Sequence, residues 1–325
     1  MAHNLNAAEP TQRRREKHVT GGRPAARGYP NRDSGIGLSK YGPFHKVDEF
    51  DNPSRSSGGN IMSTPHVIQM RESRVLRKLR AGQVASLFGI QLADARVVEI
   101  ASLFGFDCFW LDMEHVSNDW RAIEEQIWVA KIRDADAMVR VTRGGYSDYT
   151  RPLELDASGI MVPHIMNLED ARNVVRMTRF HPVGRRPADA SNADAAFGNV
   201  APLDYFRQAN ECRFLALQIE DPEPLKELDA IAALDGVDII FFGPFDFSQG
   251  IGAPAVMDHP LITETRKRVA DVCRAHGKFA GTTGTPATID TLIDMGYRFI
   301  SIGGDVAALN EYCQNMAGVF QARQG

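Results

Sequence analysis

Two carboxylates follow the ends of two neighbouring apolar segments in this sequence. Glu220 comes directly after residues 214–219, and Asp246 comes shortly after residues 237–242. Apolar residues at helical spacing in 225–234 separate the two segments, which predicts a right-handed βαβ unit with parallel strands. The carboxyl ends of both strands would then meet at one rim. Two carboxylates that converge there suit a hard divalent cation, because such cations prefer oxygen ligands.

Several other polar side chains are expected near the same rim. His115 follows another apolar segment, and we interpret it as a general base because an imidazole exchanges protons near neutral pH. Arg140 stands inside the apolar segment 137–141, where an unpaired guanidinium is costly to bury. It therefore needs an anion, either a protein carboxylate or a substrate. His164 fits a structural role and a site role equally well, and Gln218 is expected to support a neighbouring side chain.

The alternation of apolar segments predicts the elements that position these residues. Strand-like segments alternate with helical patterns from residue 71 onward, over a length typical of a (β/α)8 barrel. A doubly wound open sheet is disfavoured, because no glycine-rich dinucleotide fingerprint follows the first strand. The predicted strands are 84–90, 108–113, 137–141, 159–165, 214–219, 237–242, 279–283 and 299–302. The predicted helices are 93–104, 120–132, a short one in 146–157, 168–177, 225–234, 261–276, 287–295 and one after Asp305.

Polar residues collect at the carboxyl ends of most of these predicted strands, where barrel proteins build their active sites. A single polar strand end would mean little, because helices need capping residues. Acids, imidazoles, guanidiniums and glycine turns at so many ends indicate an enzyme. Residues 181–211 form a long insertion before the fifth strand, and long loops inside compact domains are usually functional.

Composition narrows the class of protein. The chain carries a formal net charge of −4 with 43% hydrophobic residues, as ordinary soluble proteins do. No apolar segment is long enough to span a bilayer, and the N-terminus lacks the apolar part of a signal peptide. The four cysteines lie far apart and form no CxxC pair. This pattern predicts reduced thiols in a cytoplasmic protein and disfavours a zinc site.

Residues 1–65 differ from the rest of the chain. They are rich in Gly, Pro, Ser, Asn and Arg and show no sustained period, so we predict a disordered or extended arm before a barrel domain of residues 66–325. The basic cluster 13–17 is compatible with binding to nucleic acid or to an organelle import receptor. A solvated tail is favoured, because no aromatic residues are interleaved with it. A non-catalytic barrel with a nucleic-acid-binding tail is therefore a disfavoured alternative.

Six segments, taken in order, resemble motifs of the HpcH/HpaI aldolase family. They are GFDCFWLDMEH, MVRV, ASGIMVPHI, HPVGRR, LALQIE and GVDIIFFGPFDFSQGIG. The resemblance covers nearly all of residues 71–325. It implies a metal-dependent class II pyruvate aldolase that acts on a small pyruvyl substrate and an aldehyde. It also implies a homohexamer that exchanges its last helix between subunits. A Schiff-base aldolase is disfavoured, because no lysine stands at a predicted strand end.

The resemblance also assigns roles to individual residues. It makes Glu220 and Asp246 the ligands of Mg²⁺, Mn²⁺ or Co²⁺. The implied catalytic residues are His115 as the base, Arg140 at the pyruvyl oxygen, and Asp112, which orders metal-bound water or the loop. Asp156 is implied to pair with the histidine, either within one chain or across a subunit boundary. The implied substrate-binding residues are Gly243, Pro244 and Phe245 at the substrate carboxylate, together with Gln218 and Trp110. Tyr205 in the insertion is implied to close over the acceptor substrate.

This sequence departs from the family pattern at several positions. Pro187 replaces a glycine, Phe245 and Phe247 make the pocket floor bulkier, and residues 282–285 give a polar wall in place of an apolar turn. Trp110 resembles the macrophomate synthase branch, in which oxaloacetate is decarboxylated and its enolate is coupled to another molecule. Oxaloacetate decarboxylation is therefore one alternative. A lyase of malyl-CoA or citryl-CoA is another, although the sequence shows no basic groove for a nucleotide.

Overall fold

The computed structural model describes residues 67–323, which form a closed barrel of parallel strands. The strands are β1 (Ala85–Ile90), β2 (Cys108–Asp112), β3 (Asp136–Arg140), β4 (Gly159–Val162), β5 (Phe214–Ile219), β6 (Ile239–Phe242), β7 (Phe279–Gly284) and β8 (Tyr297–Gly304). Each strand pairs with the next one along the chain, and β8 pairs with β1 to close the barrel. The predicted (β/α)8 barrel is confirmed.

Helices surround the barrel in the described part of the chain. They are α1 (Arg74–Arg80), α2 (Ala95–Ser102), α3 (Trp120–Ile132), α4 (Tyr146–Glu154), α5 (Leu168–Thr178), α6 (Pro202–Cys212), α7 (Leu228–Ala232), α8 (Pro244–Gly250), α9 (Pro260–Ala275), α10 (Ile289–Met295) and α11 (Asp305–Gln321). The sequence periodicity did not predict α1, α6 or α8. The first and last of these are each only 7 residues long, too short for a clear helical period.

Helix α1 closes the end of the barrel at which the strands begin. Its side chains Val75, Leu76 and Leu79 are buried in the same cluster as residues of the barrel interior. Asp136, the first residue of β3, accepts a hydrogen bond from the Val75 backbone N–H at 2.8 Å. Asp136 also accepts one from the Ser73 hydroxyl at 2.5 Å. The helix is thus held by apolar burial and by a buried carboxylate at the start of a strand.

The inside of the barrel is filled by large side chains that need a glycine opposite them. A Cβ on Gly159 would lie 2.4 Å from the ring of Phe214 on the adjacent strand, so only glycine leaves room for that ring. Phe214 in turn packs edge-on against Phe299, with 5.9 Å between ring centroids. The interior is therefore a packed core, and the mouth at the carboxyl ends of the strands is where proteins of this fold bind ligands.

The predicted insertion 181–211 is a small folded unit in the structure. It contains a 3₁₀ turn (Ala193–Ala195) and α6. Its apolar residues form a cluster of their own with Met70 and Phe180. The Met70 backbone N–H donates to Gln208 of α6 at 2.8 Å, close to the segment that leads into α1. The insertion thus packs near the start of the strands, away from the mouth.

Among the described residues, no helix is both long and apolar enough to cross a membrane. The predicted arm 1–65 and its basic cluster lie outside the described residues, so the boundary between arm and barrel stays a prediction.

Candidate active site

Glu220 and Asp246 stand on neighbouring strands at the mouth of the barrel. Glu220 directly follows β5 and is 1% exposed, whereas Asp246 is half-buried in the first turn of α8, just after β6. The last residues of the two strands, Ile219 and Phe242, are register partners. Gly243 lets the chain pass beside the acid, because a Cβ there would lie 2.6 Å from Oε2 of Glu220. The fold thus places Glu220 and Asp246 at the same rim of the barrel, as the sequence predicts.

Glu220 is poorly stabilised as an anion by its surroundings. Burial raises its pKa to about 7, and the charges of Glu114 and Asp246 act in the same direction. The backbone N–H of His164, 2.9 Å from Oε1, opposes this shift. The Gln218 side chain donates to Oε2, while its own amide oxygen is buried without a hydrogen-bond partner among the described residues.

These surroundings fit a divalent cation. A buried carboxylate whose charge is destabilised by burial and by a second acid gains most from a hard cation placed between the two. The described residues contain no group of three or more His, Cys, Asp and Glu side chains arranged to hold a metal ion. With Glu220 and Asp246 as protein ligands, substrate and solvent would supply the remaining oxygen atoms.

Arg140 is held by carboxylates of the protein. Its Nε and Nη2 donate to the two oxygens of Asp112 at 2.9 and 2.7 Å. Its Nη1 lies 3.1 Å from Oε2 of Glu114. The guanidinium also stacks over the ring of Trp110, 4.6 Å from the ring centroid. The sequence required an anion for this buried arginine, and Asp112, its register partner on the adjacent strand, supplies it.

His115 lies on the loop after β2, and its side chain is 56% exposed. Its Nε2 is 3.5 Å from Oε2 of Glu114. Asp112 shapes this loop, because its carboxylate accepts the Glu114 backbone N–H at 3.0 Å and its carbonyl accepts the Asn118 side chain at 2.8 Å. An exposed imidazole next to a carboxylate is free to meet a substrate that enters the mouth.

His164, Glu114 and Asp221 belong to the same site, although the sequence assigned none of them a definite role there. His164 Nδ1 lies 2.9 Å from Asp221, and its Nε2 lies 3.7 Å from Glu114. Partial burial lowers the pKa of His164, but the hydrogen bond to Asp221 and the charges of Glu220, Asp221 and Glu114 outweigh burial and raise it. His164 also adopts a left-handed backbone conformation with φ of 49°, which is unusual for a residue other than glycine and recurs at functional sites.

Glu114 connects the two halves of the site. Its carboxylate lies within 3.1–3.7 Å of Arg140, His115 and His164. Oε2 is buried and has no hydrogen bond of good geometry in the described part of the chain. The motif that contains Asp112, Glu114 and His115 could have pointed to this role, because it places two acids and a histidine directly after a strand.

A cavity of about 260 Å³ opens at the mouth beside Arg140 and Asp112. Its walls come from the carboxyl ends of β1, β2, β3, β7 and β8, and they include Trp110. The acids after β5 and β6 do not line this cavity, so the mouth has one side with the acid pair and another side with an open volume.

The structure does not bring Asp156 to this rim. Asp156 precedes β4 and therefore lies at the opposite end of the barrel, 5% exposed. It forms ion pairs there with Arg213 and Lys131. The implied pairing of Asp156 with His115 is thus wrong within one chain, since the barrel separates them. A pairing across a subunit boundary stays a prediction.

Tyr205 is also far from the role that the sequence implied. It is fully buried in the core of the insertion and donates its hydroxyl to Asp194 at 2.7 Å. Asp194 is held in turn by Arg186 at 2.8 Å. A side chain buried in this way cannot close over an acceptor substrate, so the implied lid role is wrong. The physical reason is that the apolar residues of the insertion pack together with Met70 and Phe180, and Tyr205 lies inside that cluster.

The turn after β6 divides its aromatic residues between the surface and the core. Pro244 begins α8, and Phe245 is 59% exposed beside the acid pair. Phe247 points away from the mouth and packs against Phe242, with 5.2 Å between ring centroids. The expected bulkier pocket floor therefore concerns Phe245 alone. The backbone N–H groups of Phe245 and Asp246, in the first turn of α8, have no acceptor within the helix.

Comparison with known proteins agrees with the resemblance seen in the motifs. The model of the HpcH/HpaI aldolase/citrate lyase family matches residues 86–311. A hydroxypyruvate/pyruvate aldolase from Roseobacter denitrificans is 35% identical over 232 residues, which cover 69% of this chain and 88% of the relative.

Solved structures give the same result. An HpcH/HpaI aldolase from Desulfitobacterium hafniense aligns with a TM-score of 0.72 and 27% identity, over 76% of this chain and 96% of the other. Macrophomate synthase, at 20% identity and a TM-score of 0.68 over 80% of this chain and 92% of the other, shares the fold. This chain therefore belongs to the HpcH/HpaI aldolase/citrate lyase family.

Proposed function

We propose that this protein is a divalent-metal-dependent aldolase that cleaves or forms 4-hydroxy-2-oxoacids through a pyruvate enolate. The observation that carries the proposal is a continuous series of contacts across the mouth. Glu220 lies 3.8 Å from His164, His164 lies 3.7 Å from Glu114, and Glu114 lies 3.1 Å from Arg140 and 3.5 Å from His115. The candidate metal ligand, the guanidinium and the exposed imidazole thus belong to one connected site.

Glu220 and Asp246 would hold Mg²⁺, Mn²⁺ or Co²⁺, which prefer carboxylate oxygens. A bound cation would act as a Lewis acid toward the 2-oxo group, which stabilises the enolate charge that develops when the C3–C4 bond breaks. The backbone N–H groups of Phe245 and Asp246, at the start of α8, would receive the substrate carboxylate, with Gly243 and Pro244 shaping the turn. Gln218 would keep Glu220 in position through its hydrogen bond.

Arg140 would hold the pyruvyl oxygen with a fixed positive charge. The bidentate contact with Asp112 keeps its guanidinium in place before the substrate arrives, so little reorganisation is needed during the reaction. Trp110 supports it from one face. Such a preorganised charge is worth most when it faces the atom on which charge develops.

His115 would accept the proton of the 4-hydroxyl group in cleavage and return it in condensation. Its exposure leaves it free to approach substrate, and Oε2 of Glu114 lies 3.5 Å from its Nε2. The protons balance: cleavage moves the hydroxyl proton to His115, the enolate takes up a proton at C3 from solvent to leave pyruvate, and His115 releases its proton to solvent.

We further propose that the protein works as a homo-oligomer, with a hexamer as the expected state, in the cytoplasm. Helix α11 supports the first point. Its side chains Leu309, Tyr312 and Phe320 are 52–70% exposed, and such an apolar helix face is normally covered. The four unpaired cysteines suit a reducing compartment.

Oxaloacetate decarboxylation is the second candidate function. The likeness of the Trp110 position to the macrophomate synthase branch supports it, and Trp110 lines the mouth beside Arg140. The same enolate would form, with carbon dioxide as the leaving group in place of an aldehyde. A CoA-ester lyase is the third candidate, and it would release acetyl-CoA from malyl-CoA.

Pyruvate release after chelator treatment tests the proposal. We expect no release from a racemic 4-hydroxy-2-oxoacid in chelator, and full release once Mg²⁺ or Mn²⁺ is restored. Turnover that survives complete chelation would contradict a metal-dependent mechanism. Metal-restored release from oxaloacetate alone would favour the decarboxylase, and acetyl-CoA release from malyl-CoA would favour the third candidate.

A further inference from the structure

His164 has an unfavourable backbone conformation directly after β4. It lies between Pro163 and Ile165, which are both buried, and its φ of 49° falls in the left-handed region. A residue with a Cβ is uncommon there, although histidine and asparagine tolerate this region better than most. Such a conformation persists only where the surroundings hold it. Specific contacts must therefore keep His164 in this conformation.

Hydrogen bonds hold both peptide groups that flank the Cα of His164. Its N–H donates to Oε1 of Glu220 at 2.9 Å, and its carbonyl accepts a hydrogen bond from Nη1 of Arg143 at 2.6 Å. The next N–H along the chain, that of Ile165, donates to the carbonyl of Gln218 at 3.2 Å. Because the two peptide groups are fixed by separate partners, the backbone rotation at His164 is fixed as well.

Arg143 connects the carbonyl of His164 to the start of α5. It lies on the loop after β3, and its Nη2 donates to Asp170 in the first turn of α5 at 2.6 Å. Asp170 also accepts the backbone N–H of Met166 at 3.1 Å. The Arg143 side chain is 40% exposed, and an ion pair this exposed contributes little to stability. Its main effect is geometric, because the planar guanidinium holds two acceptors in one fixed arrangement.

These contacts lead to the carboxylate of Glu220. Its Oε1 accepts the His164 N–H and its Oε2 accepts the Gln218 side chain, so each oxygen has one donor. The imidazole of His164 adds a second connection, because its Nδ1 lies 2.9 Å from Asp221, the residue after Glu220. The direction of the His164 N–H therefore sets how this buried carboxylate faces a cation.

We propose that His164 is a positioning residue for Glu220, and that Arg143 holds the left-handed backbone that aims the His164 N–H at Oε1. The inference rests on the proposed function, in which Glu220 and Asp246 bind the cation. Arg143 contacts His164 and Asp170, so it acts on Glu220 only through His164. Replacing a residue that orients a metal ligand typically weakens metal binding by about 10–100-fold. Metal affinity should therefore depend on Arg143.

Mn²⁺ binding to the full-length protein, followed by EPR, tests the role of Arg143. Arg143→Ala should raise the Kd for Mn²⁺ about tenfold. Arg172→Ala is the matched control, because Arg172 faces Glu169 in the first turn of α5 at 4.0 Å and makes no hydrogen bond to His164. Its Kd should equal that of the unmodified protein. Turnover of Arg143→Ala should recover at saturating Mn²⁺, whereas a loss caused by misfolding would persist.

A pair of variants at His164 separates its backbone from its side chain. His164→Asn and His164→Val both remove the imidazole. Asparagine tolerates the left-handed conformation, whereas the β-branched valine does not. We therefore expect His164→Val to bind Mn²⁺ about tenfold more weakly than His164→Asn. The comparison between the two variants reports the backbone conformation, since the imidazole is absent from both.

Two results would overturn the inference and leave the proposed function standing. An unchanged Kd in Arg143→Ala would show that Arg143 does not act on the metal ligand. Equal Kd values in His164→Asn and His164→Val would show that the backbone of His164 does not position Glu220. If the unmodified protein itself bound no Mn²⁺, both the inference and the metal-dependent function would be wrong.

Discussion

The guanidinium of Arg140 donates two hydrogen bonds, at 2.9 and 2.7 Å, to the carboxylate of Asp112 on the adjacent strand. The two residues are register partners at the last positions of β2 and β3, so the closure of the sheet itself aligns them. A third carboxylate oxygen, from Glu114, lies 3.1 Å from the same guanidinium. The Arg140 guanidinium, which we propose stabilises the enolate, is thus held rigidly by the protein before any ligand binds.

Replacing Arg140 by lysine should lower activity more than stability. Lysine keeps a charge but cannot donate in a fork to Asp112, so we expect kcat/KM for pyruvate formation to fall about a hundredfold. Arg140→Met should cost about 3–5 kcal/mol of unfolding free energy, because it leaves two carboxylates without their cation. Urea unfolding and steady-state kinetics measure the two effects. Arg133→Lys, a change at an exposed arginine on the outer surface, should alter neither.

Replacing Glu220 by glutamine or Asp246 by asparagine should remove metal-dependent turnover, with a loss on the order of a thousandfold. Mg²⁺ or Mn²⁺ should raise the Tm of the unmodified protein, since a ligand that binds only the folded state stabilises it. We expect no such rise in either variant. An equal Tm rise in Glu220→Gln would argue that the cation binds elsewhere.

Stability at low pH should depend on Asp107. Burial by itself would raise the pKa of this carboxyl, but hydrogen bonds from Lys78 and Ser86 hold it below its usual range. A carboxyl whose pKa is lower in the folded than in the unfolded state stabilises the fold above an unfolded pKa of about 4. That stabilisation is lost as pH falls through the folded pKa.

Asp107→Asn should therefore cost about 2 kcal/mol of unfolding free energy at pH 7. The difference from the unmodified protein should shrink as the pH drops below about 4. Urea unfolding at a series of pH values measures it. Asp271→Asn, a change at an exposed acid on α9, should show little cost at either pH. A constant cost of Asp107→Asn across the range would show that its charge is unimportant.

Removing the Tyr205 hydroxyl should affect stability and leave catalysis alone. Tyr205→Phe deprives buried Asp194 of one hydrogen bond, which should cost about 1 kcal/mol. Turnover at saturating substrate should not change, because the side chain lies in the core of the insertion. Tyr146→Phe, at a tyrosine that is 57% exposed, provides the comparison for stability. A selective fall in kcat for Tyr205→Phe would restore the lid role that the structure argues against.

The repeating apolar segments and the motifs were enough to predict the barrel and the positions of Glu220, Asp246 and His115 at its mouth. Each buried strand needs a run of apolar residues, and a polar residue directly after such a run must lie at the strand end. Glu220 and Asp246 follow two successive strands, so their meeting at one rim follows from connectivity alone. The position of His115 after β2 follows in the same way.

The remaining features depended on packing between distant segments, which local sequence patterns do not encode. Asp156 pairs with Arg213 and Lys131 because the barrel brings their elements together at the end opposite the mouth. Tyr205 is buried because the insertion packs against Met70 and Phe180, which lie outside it in the sequence. The contacts of Glu114 with Arg140, His115 and His164, and the cavity between β7, β8 and α11, likewise exist only once the sheet has closed. Periodicity reports which residues are buried, and only tertiary closure decides which of them meet.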